Sequence, residues 1–436
     1  MKWIDRISTR MRRISGSKAY TPGPYDPTLA PESAPPAGRS KTIHAGWLID
    51  GSGGPVRRDV VLEIRNGLIH TIEDGVIFSG DAPFSRLKPE IDLSGCTLIP
   101  GLIDSHVHLT MTGDADEGLR RSLREAPYEV VRQMIMGNLH EHLRHGVVAV
   151  RDGGGCRGNA LRFAKSSQGQ TQPVRVLAAG RAWHRAGRYG RLIGRAAAGG
   201  LDLADAIRTD DEPADHIKMV NSGLNSLSEY GRQTAPQFSQ TEMSAAVRAA
   251  ADRGLSVMVH ANGEAPVRIA AMAGCRSLEH GFFMGAENLS RLMDREITWV
   301  PTAVTMQAYS EVFEQEGKNP DVARRTLDHQ IEQLAMAKRL GVNVALGTDA
   351  GTPGVRHGAA VIAEMKLLIQ AGFTLAEAVH CASQNAARLA GADCGLLDRG
   401  RPATFIAVEA EPSALPEKLR HIRAVFINGE RELDAG

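Results

Sequence analysis

His106 and His108 stand two residues apart, directly after the apolar run "PGLIDS". On a β-strand, side chains two residues apart point to the same face, so these two imidazoles would lie side by side. Neutral imidazole is a common ligand of Zn²⁺, and such a pair can chelate one metal ion. Taken alone, the pair fits two surface or core histidines equally well.

Four more polar residues occur in or directly after separate apolar runs. Lys218 lies in "HIKMV", His260 ends "LSVMVH", His280 follows "SLE", and Asp349 follows "ALGT". Each has an ordinary explanation by itself: a histidine can pack in a core, an aspartate can cap a helix, and a lysine can reach a carboxylate or the surface. Their shared position, in or directly after apolar runs, predicts that they lie together in one site, because the carboxyl ends of the strands in a parallel barrel meet at one mouth.

The elements that would position these residues alternate along residues 98–396. Short apolar runs are separated by helical stretches such as "SQTEMSAAVRAAADRG", which end at glycine. The strand candidates are, in order, "CTLIPGLIDSHVHL", "GVVAVRDGG", "VRVLAAG", "HIKMV", "LSVMVHA", "SLEHG", "TWVPTAV" and "NVALGTD". This α/β alternation predicts a (β/α)8 TIM barrel. A doubly wound open sheet is the alternative, but no GxGxxG motif opens a helix after the first strand.

Both ends of the chain are β-rich. Residues 41–97 contain short β-branched runs broken by turn signals, and residues 397–436 repeat this texture around "FINGERE". We therefore expect one small β-sandwich domain built from both segments. Residues 1–40 are basic and proline-rich. We interpret the basic stretch 1–18 as frayed or locally docked, in preference to an amphipathic helix on a membrane surface or a partner, and the proline-rich stretch that follows as an extended linker.

The composition excludes several classes of partner. Lys and Arg total 51 against 50 acidic residues, and only 5% of residues are aromatic, so neither nucleic acid nor an anionic membrane is favoured. No apolar run approaches the roughly 20 residues of a membrane span. The five cysteines are scattered and odd in number, which predicts a reducing, cytoplasmic location. We expect a small-molecule or short-peptide substrate, with a homo-oligomer left open.

Five segments in this order resemble the amidohydrolase superfamily: "PGLIDSHVHL", "HIKMV", "VMVHANG", "LEHG" and "LGTDAGTPGVRHG". Within it they are most similar to the binuclear metal-dependent dipeptidases and N-acyl-amino-acid hydrolases of the imidazolonepropionase-like branch. The resemblance covers residues 41–436 and is much less specific for substrate than for the superfamily.

The resemblance implies two divalent metal ions, with Zn²⁺ the expected metal. The implied ligands are His106, His108, Lys218, His260, His280 and Asp349. The first histidine pair and the aspartate would hold the more buried ion, and the second pair would hold the more exposed one. Lys218 would bridge the two ions as a carbamate formed with CO₂, and a hydroxide shared by the ions would attack the substrate.

Physical chemistry supports this role for Lys218. Burial disfavours an ammonium and lowers the pKa of a lysine, and the resulting neutral amine is a nucleophile that can take up CO₂. The product is an anion with one oxygen for each ion. Asp349 is the expected acid and base, taking the proton of the attacking water and delivering it to the leaving amine.

Substrate-contacting residues are harder to identify. The loop "GRAWHRAGRYGRLIGR" holds several arginines that could clamp a carboxylate or could simply be solvated. By the resemblance we choose His184 in this loop. We also choose Tyr230 in the long loop after Lys218, and His357 after Asp349, with Arg356 as an alternative to His357.

Together these observations predict a metal-dependent hydrolase that cleaves an amide bond, of a dipeptide with release of its C-terminal residue or of an N-acyl amino acid. A cyclic-amide or deaminase-type hydrolase is the alternative, and a lactone, ester or phosphotriester would suit the same metal pair. A non-catalytic relative is disfavoured, because such relatives usually lose metal ligands and all six positions are present here.

Overall fold

The computed structural model describes residues 40–74 and 89–434, so the expected tail at 1–40 lies almost wholly outside the described residues. The described strands are, in chain order, β1 (Ser40–Leu48), β2 (Arg57–Arg65), β3 (Leu68–Glu73), β4 (Ile91–Pro100), β5 (Leu102–Val107), β6 (Val147–Asp152), β7 (Arg175–Ala178), β8 (Ala182–Trp183), β9 (Gly194–Arg195), β10 (Ile217–Val220), β11 (Val257–Ala261), β12 (Ser277–His280), β13 (Thr298–Val300), β14 (Phe405–Val408), β15 (Ala424–Ile427) and β16 (Glu430–Asp434).

Helices separate most of the inner strands. The described α-helices are α1 (Glu117–Glu125), α2 (Tyr128–Arg144), α3 (Asn159–Ala164), α4 (Ser167–Gln170), α5 (Leu203–Arg208), α6 (Gln240–Asp252), α7 (Glu264–Ala273), α8 (Gly285–Asp294), α9 (Val304–Gln315), α10 (Asp321–Leu340), α11 (Ala359–Gln370), α12 (Leu375–His380) and α13 (Ala386–Ala390). A π-helical turn, Cys381–Asn385, joins the last two, and short 3₁₀ turns occupy Pro412–Ala414 and Glu417–Arg420. No helix in these described ranges is long and apolar enough to cross a membrane.

The two ends of the chain meet in one sheet. Its seven strands lie in the order β16-β15-β14-β4-β1-β2-β3, and the antiparallel pairing of β14 with β4 joins the C-terminal segment to the N-terminal one. Alternate residues such as Ile43 and Ala45 on β1 are fully buried in a single cluster with residues of β2, β4 and β14. The described strands therefore form the shared sheet that the sequence predicts, and its shape as a sandwich stays a prediction.

The inner strands form two parallel sheets, in the orders β5-β6-β7 and β13-β12-β11-β10-β8-β9. Strands such as β6 and β11 are buried at every residue, as expected of parallel strands covered by helices. The helices begin and end where the sequence signals them. Ser239 forms a capping box at the start of α6, and Gly341, with φ of 75°, ends α10 in the left-handed conformation.

Two of the expected strands differ from the prediction. The first candidate is two strands, because the chain passes from the outer sheet to the inner sheet at Gly101, where a Cβ would lie 2.6 Å from Val148 Cγ2. The eighth candidate, 343–349, is not a regular strand. It makes only isolated parallel bridges, Trp299↔Val344 and Val107↔Ala350, which place this segment between β13 and β5.

Candidate metal centre

A cavity of about 270 Å³ opens where the inner strands end. Its lining includes a side chain from the end or the following residue of β5, from β10, β11 and β12, and from the segment after residue 344. The six predicted ligands that line it are His106, His108, Lys218, His260, His280 and Asp349. Residues more than 240 positions apart in the sequence thus face one space.

His106, His108 and Asp349 form the tightest part of this group. One potential ligand atom from each lies within 4.8 Å of those of the other two, so the three residues could hold a metal ion. Oδ1 of Asp349 lies 3.6 Å from Nε2 of His106 and 3.3 Å from Nε2 of His108. This oxygen is buried, and in the described part of the chain it has no well-aligned hydrogen-bond donor.

The hydrogen bonds of the first two histidines fix their tautomers. Nδ1 of His106 donates to Oε2 of Glu279 at 2.9 Å, and Nδ1 of His108 donates to the carbonyl oxygen of Gly154 at 2.8 Å. A neutral imidazole carries one proton, so both Nε2 atoms bear a lone pair. Each of the three residues therefore directs an atom with a lone pair toward the other two. A cation between these atoms is more favourable than direct contact of the lone pairs.

The second histidine pair is fixed in the same way. Nε2 of His260 donates to the carbonyl oxygen of Gly223 at 3.1 Å, which leaves Nδ1 with the lone pair. Nδ1 of His280 lies 2.7 Å from the hydroxyl of Thr302, and donation to that oxygen leaves Nε2 free. The rings of His260 and His280 have centroids 4.6 Å apart. Such anchoring of one ring nitrogen is typical of metal-binding histidines.

Backbone strain coincides with two of these residues. His280 has φ of 67° and Asp349 has φ of 58°, in the left-handed region that residues other than glycine seldom occupy. His280 is the last residue of β12, and Asp349 lies in the segment that bridges β13 and β5. Residues held in such conformations cluster at functional sites, where the surrounding structure holds the side chain in place.

Lys218 is a buried amine inside the short inner strand β10. Its side chain is 1% exposed, and Nζ lies 3.5 Å from Nε2 of His106. Among the described residues, no carboxylate oxygen lies close enough to Nζ to form an ion pair. Burial lowers the pKa of Lys218 to about 8, so the neutral amine is accessible near neutral pH.

The charge states of His106, His260, His280 and Asp349 suit metal binding. Burial lowers the pKa values of His106 and His280, and lowers that of His260 to about 4, which keeps these imidazoles neutral. His108 differs, because burial is outweighed by the neighbouring Asp349 and the pKa rises. Burial alone would raise the pKa of Asp349, but the surrounding histidines and lysine lower it to about 2, so this group is a carboxylate.

Glu279 contacts the candidate metal centre through a hydrogen bond with His106, and the sequence analysis did not identify it. Its side chain is fully buried between Nδ1 of His106 at 2.9 Å and Nη1 of Arg151 at 3.3 Å, and it also accepts from the hydroxyl of Ser277. A carboxylate at this position orients the His106 ring and makes its free nitrogen more basic. The sequence does contain an indication of its role, because Glu279 is a charged residue within a predicted buried strand, as Lys218 is.

Two of the predicted substrate contacts are buried away from the cavity surface. His184 is 6% exposed, and its Nδ1 donates to the carbonyl oxygen of Arg185 at 2.9 Å. His357 is 4% exposed, with Nδ1 3.2 Å from Nε2 of His142 and Nε2 donating to the carbonyl oxygen of Met111 at 2.9 Å. Neither lines the cavity, so their contact with substrate stays a prediction.

Tyr230 lies at the surface. It is 37% exposed, its ring meets Phe283 edge-on, and the guanidinium of Arg325 lies 4.1 Å above it. It does not line the cavity either. The side chains that do line it, beyond the six ligands, include some that the sequence reasoning missed, namely Glu117, Arg120, Arg124, Tyr189, Asn262, Thr305 and Tyr309. Arg120 and Arg124 are four residues apart in "RRSLR" and so share one face of α1, but nothing in the sequence indicates that this face meets the cavity.

The chain belongs to the amidohydrolase family, whose sequence model matches residues 97–431. It is 27% identical over 405 residues to ochratoxinase from Aspergillus niger, covering 85% of this chain and 81% of that protein. It is 26% identical over 371 residues to imidazolonepropionase from Acidiphilium cryptum, covering 78% and 86%. The resemblance inferred from the motifs is thus confirmed, and members of this family are hydrolases and generally depend on metal ions.

A solved structure gives the same result. The crystal structure of a Xaa-Pro dipeptidase with bound methionine in the active site superposes with a TM-score of 0.75 and is 26% identical. The match covers 90% of this chain and 99% of that one. The likeness therefore includes the inner parallel sheets and the shared outer sheet.

Proposed function

We propose that this protein is a binuclear metal-dependent amidohydrolase that cleaves an amide bond in dipeptides, releasing the C-terminal residue, or in N-acyl amino acids. One observation carries the proposal. Four imidazoles line one cavity with a ring nitrogen of each anchored to an acceptor outside it, beside a carboxylate oxygen that lacks a well-aligned donor. A set of lone pairs arranged in this way is suited to binding cations.

The proposal includes a closed (β/α)8 barrel over residues 98–396, flanked by a β-sandwich domain from 41–97 and 397–436. Two contacts support closure. Segment 343–350 bridges β13 and β5, and the amide of Asp215, just before β10, donates to the carbonyl oxygen of Ala178 at the end of β7 at 3.0 Å. Each contact brings a segment of one parallel sheet next to the other sheet, as neighbouring strands of a closed barrel would be.

The chain's own residues fit two ions. His106, His108 and Asp349 would hold one, and His260 with His280 would hold the other. Imidazole and carboxylate ligands suit Zn²⁺, which we propose as the metal. When bound, such ions lower the pKa of water and polarise a carbonyl group.

Lys218 would join the two ions as a carbamate. Its neutral amine attacks CO₂, a nitrogen–carbon bond forms, one proton is released, and the product is an anion with two oxygens. Full burial, a pKa of about 8 and the lack of an ion-pairing carboxylate within the described residues all favour the neutral amine that this step needs.

Asp349 would move the proton. It is charged at neutral pH and lies beside the cavity's first histidine pair, so it can accept a proton from water as that water attacks the amide carbon. The same carboxyl group then delivers the proton to the leaving amine, because an amine is expelled readily only when protonated. Proton transfer of this kind contributes about 10²–10⁴-fold to the rate.

The similar proteins guide the choice of substrate. One of the similar structures is a Xaa-Pro dipeptidase, which favours a dipeptide. The likeness to imidazolonepropionase favours a cyclic amide as the second candidate, and a lactone or ester is chemically compatible with the same centre. The presence of Lys218 favours the first candidate, because a bridging ligand is needed for two ions and not for one.

Two measurements test the proposal. Elemental analysis of the purified protein is expected to give near two metal ions per chain, and a screen of dipeptides, N-acyl amino acids and cyclic amides is expected to show turnover of the first two groups. His106→Ala should lose metal and turnover, while the exposed His140→Ala should keep both. One ion per chain with turnover of cyclic amides alone would reject the proposal for the second candidate.

A further inference from the structure

Arg120 is a guanidinium fixed in the wall of the catalytic cavity. It lies on α1, lines the cavity with the six candidate ligands, and its side chain is 10% exposed. Nη1 donates to the carbonyl oxygen of Gly351 at 2.8 Å and to that of Asp114 at 3.2 Å. Because Gly351 follows Asp349 by two residues, these bonds hold the guanidinium on the side of the cavity where Asp349 lies.

The charge of Arg120 is poorly compensated. Its nearest carboxylate within the described ranges is that of Glu117, 4.0 Å from Nε, and Glu117 is 60% exposed and makes a closer pair with Arg124 at 2.9 Å. Burial lowers the pKa of Arg120, which means that its surroundings oppose the charged form. A partly enclosed guanidinium without a close anion is costly, and an anionic ligand offsets that cost.

A second donor lines the same cavity. Tyr309 on α9 is buried, which raises its pKa to about 12, so its hydroxyl stays protonated at neutral pH and can donate a hydrogen bond. Arg120 and Tyr309 both line this cavity. A guanidinium and a phenol together form a suitable pair of donors for a carboxylate.

The proposed function places a carboxylate on this side. Asp349 delivers its proton to the leaving amine, so the half of the substrate that carries this amine lies beside Asp349. In a dipeptide or an N-acyl amino acid, the carbon bonded to that amine also carries the free carboxylate. The position of Arg120 next to the Asp349 segment therefore matches the position of that carboxylate.

We infer that Arg120 is a specificity-determining residue that binds the free carboxylate of the leaving amino acid and so restricts the enzyme to acyl amino acids and dipeptides. This inference rests on the proposed function. It predicts that an amide whose leaving amine lacks a carboxylate is a poor substrate, although its scissile bond is the same.

The test compares a matched pair of substrates in zinc-loaded, full-length protein: N-acetyl-L-phenylalanine and N-acetyl-2-phenylethylamine, which differ only in the carboxylate. Arg120→Gln should lower kcat/KM for the first about 10- to 100-fold, mainly through KM, as expected for a lost charged hydrogen bond. It should change kcat/KM for the second less than about twofold. For the first substrate, kcat/KM of Arg120→Lys should lie between those of wild type and Arg120→Gln, because lysine keeps the positive charge but cannot donate two parallel hydrogen bonds to a carboxylate.

Arg121→Gln is the matched control, since Arg121 is the next residue of the same helix, is exposed and does not line the cavity. It should leave both substrates unchanged. An equal loss on both substrates in Arg120→Gln would show that Arg120 only holds the Gly351 segment, and no loss would show that it does not meet the substrate. Either outcome overturns the inference.

A binding measurement separates this inference from the proposed function. Calorimetric titration with 3-phenylpropanoate and 3-phenylpropanamide should show tighter binding of the carboxylate in the wild type and loss of that preference in Arg120→Gln. If wild type hydrolyses neither this pair nor any dipeptide or N-acyl amino acid of the screen but shows this preference, the carboxylate site stands and the proposed reaction fails. If the protein hydrolyses the substrate and the rate does not depend on Arg120, the proposed reaction stands and the carboxylate site is rejected. If the protein shows no hydrolysis and no preference for the carboxylate, both are rejected.

Discussion

Replacing Glu279 with glutamine tests how the buried layer beneath the cavity supports the candidate metal centre. The carboxylate accepts from His106 Nδ1 at 2.9 Å and from Arg151 Nη1 at 3.3 Å, and its side chain is fully buried. Burial raises the pKa of Glu279, but Arg151 and Lys218 oppose the rise. Glu279→Gln keeps the shape of the side chain and removes the charge, so Arg151 becomes an unpaired buried cation.

Glu279→Gln is expected to lower both the free energy of unfolding and the affinity for zinc. Breaking a buried ion pair from one side lowers the free energy of unfolding by about 3 kcal/mol. Removing the carboxylate that orients a metal-binding histidine typically lowers metal affinity by about 10–100-fold. The first effect should appear in the metal-free protein, because it concerns Arg151, and the second should appear in the folded protein as weaker zinc binding.

Urea denaturation of metal-free protein measures the first effect, and competition for Zn²⁺ with a chromophoric chelator measures the second. Glu287→Gln is the control, because Glu287 is an exposed residue whose pair with Arg291 lies on the surface of α8. If Glu279→Gln leaves both the zinc affinity and the free energy of unfolding unchanged, Glu279 neither orients His106 nor neutralises Arg151.

Two further predictions concern Lys218 and His357. Lys218→Ala should lose metal and activity together, and millimolar acetate or propionate should partly restore both in activity and metal assays, because a free carboxylate can replace the carbamate; full activity without any added acid would argue against the bridging role. His357 has a pKa of about 4 in the folded protein because it is buried, against about 6.5 in an unfolded chain, so the unfolded state binds more protons below neutral pH and the free energy of unfolding falls as the pH drops from about 6.5 toward 4. Urea denaturation of metal-free protein at pH 7.5 and 5.0 should show that His357→Gln removes about 2 kcal/mol of this difference, and an identical pH dependence in the variant would contradict the assignment.

The sequence predicted those features that depend on local patterns. Seven of the eight candidate segments contain an inner strand, namely β5, β6, β7, β10, β11, β12 and β13. Polar side chains in or next to β5, β10, β11 and β12 face one cavity because parallel strands present their carboxyl ends on the same side. The shared outer sheet followed from the turn signals at both ends of the chain.

Other features depend on packing between distant segments. The eighth candidate, 343–349, has the composition of a strand but makes only isolated bridges, and no local pattern distinguishes the two. The residues predicted to contact substrate lie in loops. A loop has no regular hydrophobic periodicity, so the sequence does not indicate which of its side chains are buried or face the cavity. Arg120 lines the cavity because α1 folds back toward the segment after Asp349, a contact across more than 220 residues that its own surroundings in the sequence do not indicate.

The position of Lys218 offers the most direct test of the account. A crystal structure of the zinc-loaded, active protein, with diffraction measured across the zinc absorption edge, would locate the ions and the end of this side chain together. We expect two zinc peaks in the cavity, with density that extends from Nζ of Lys218 to a planar group touching both. An unmodified ammonium at Lys218 in fully loaded, active protein, or a single zinc peak, would contradict it.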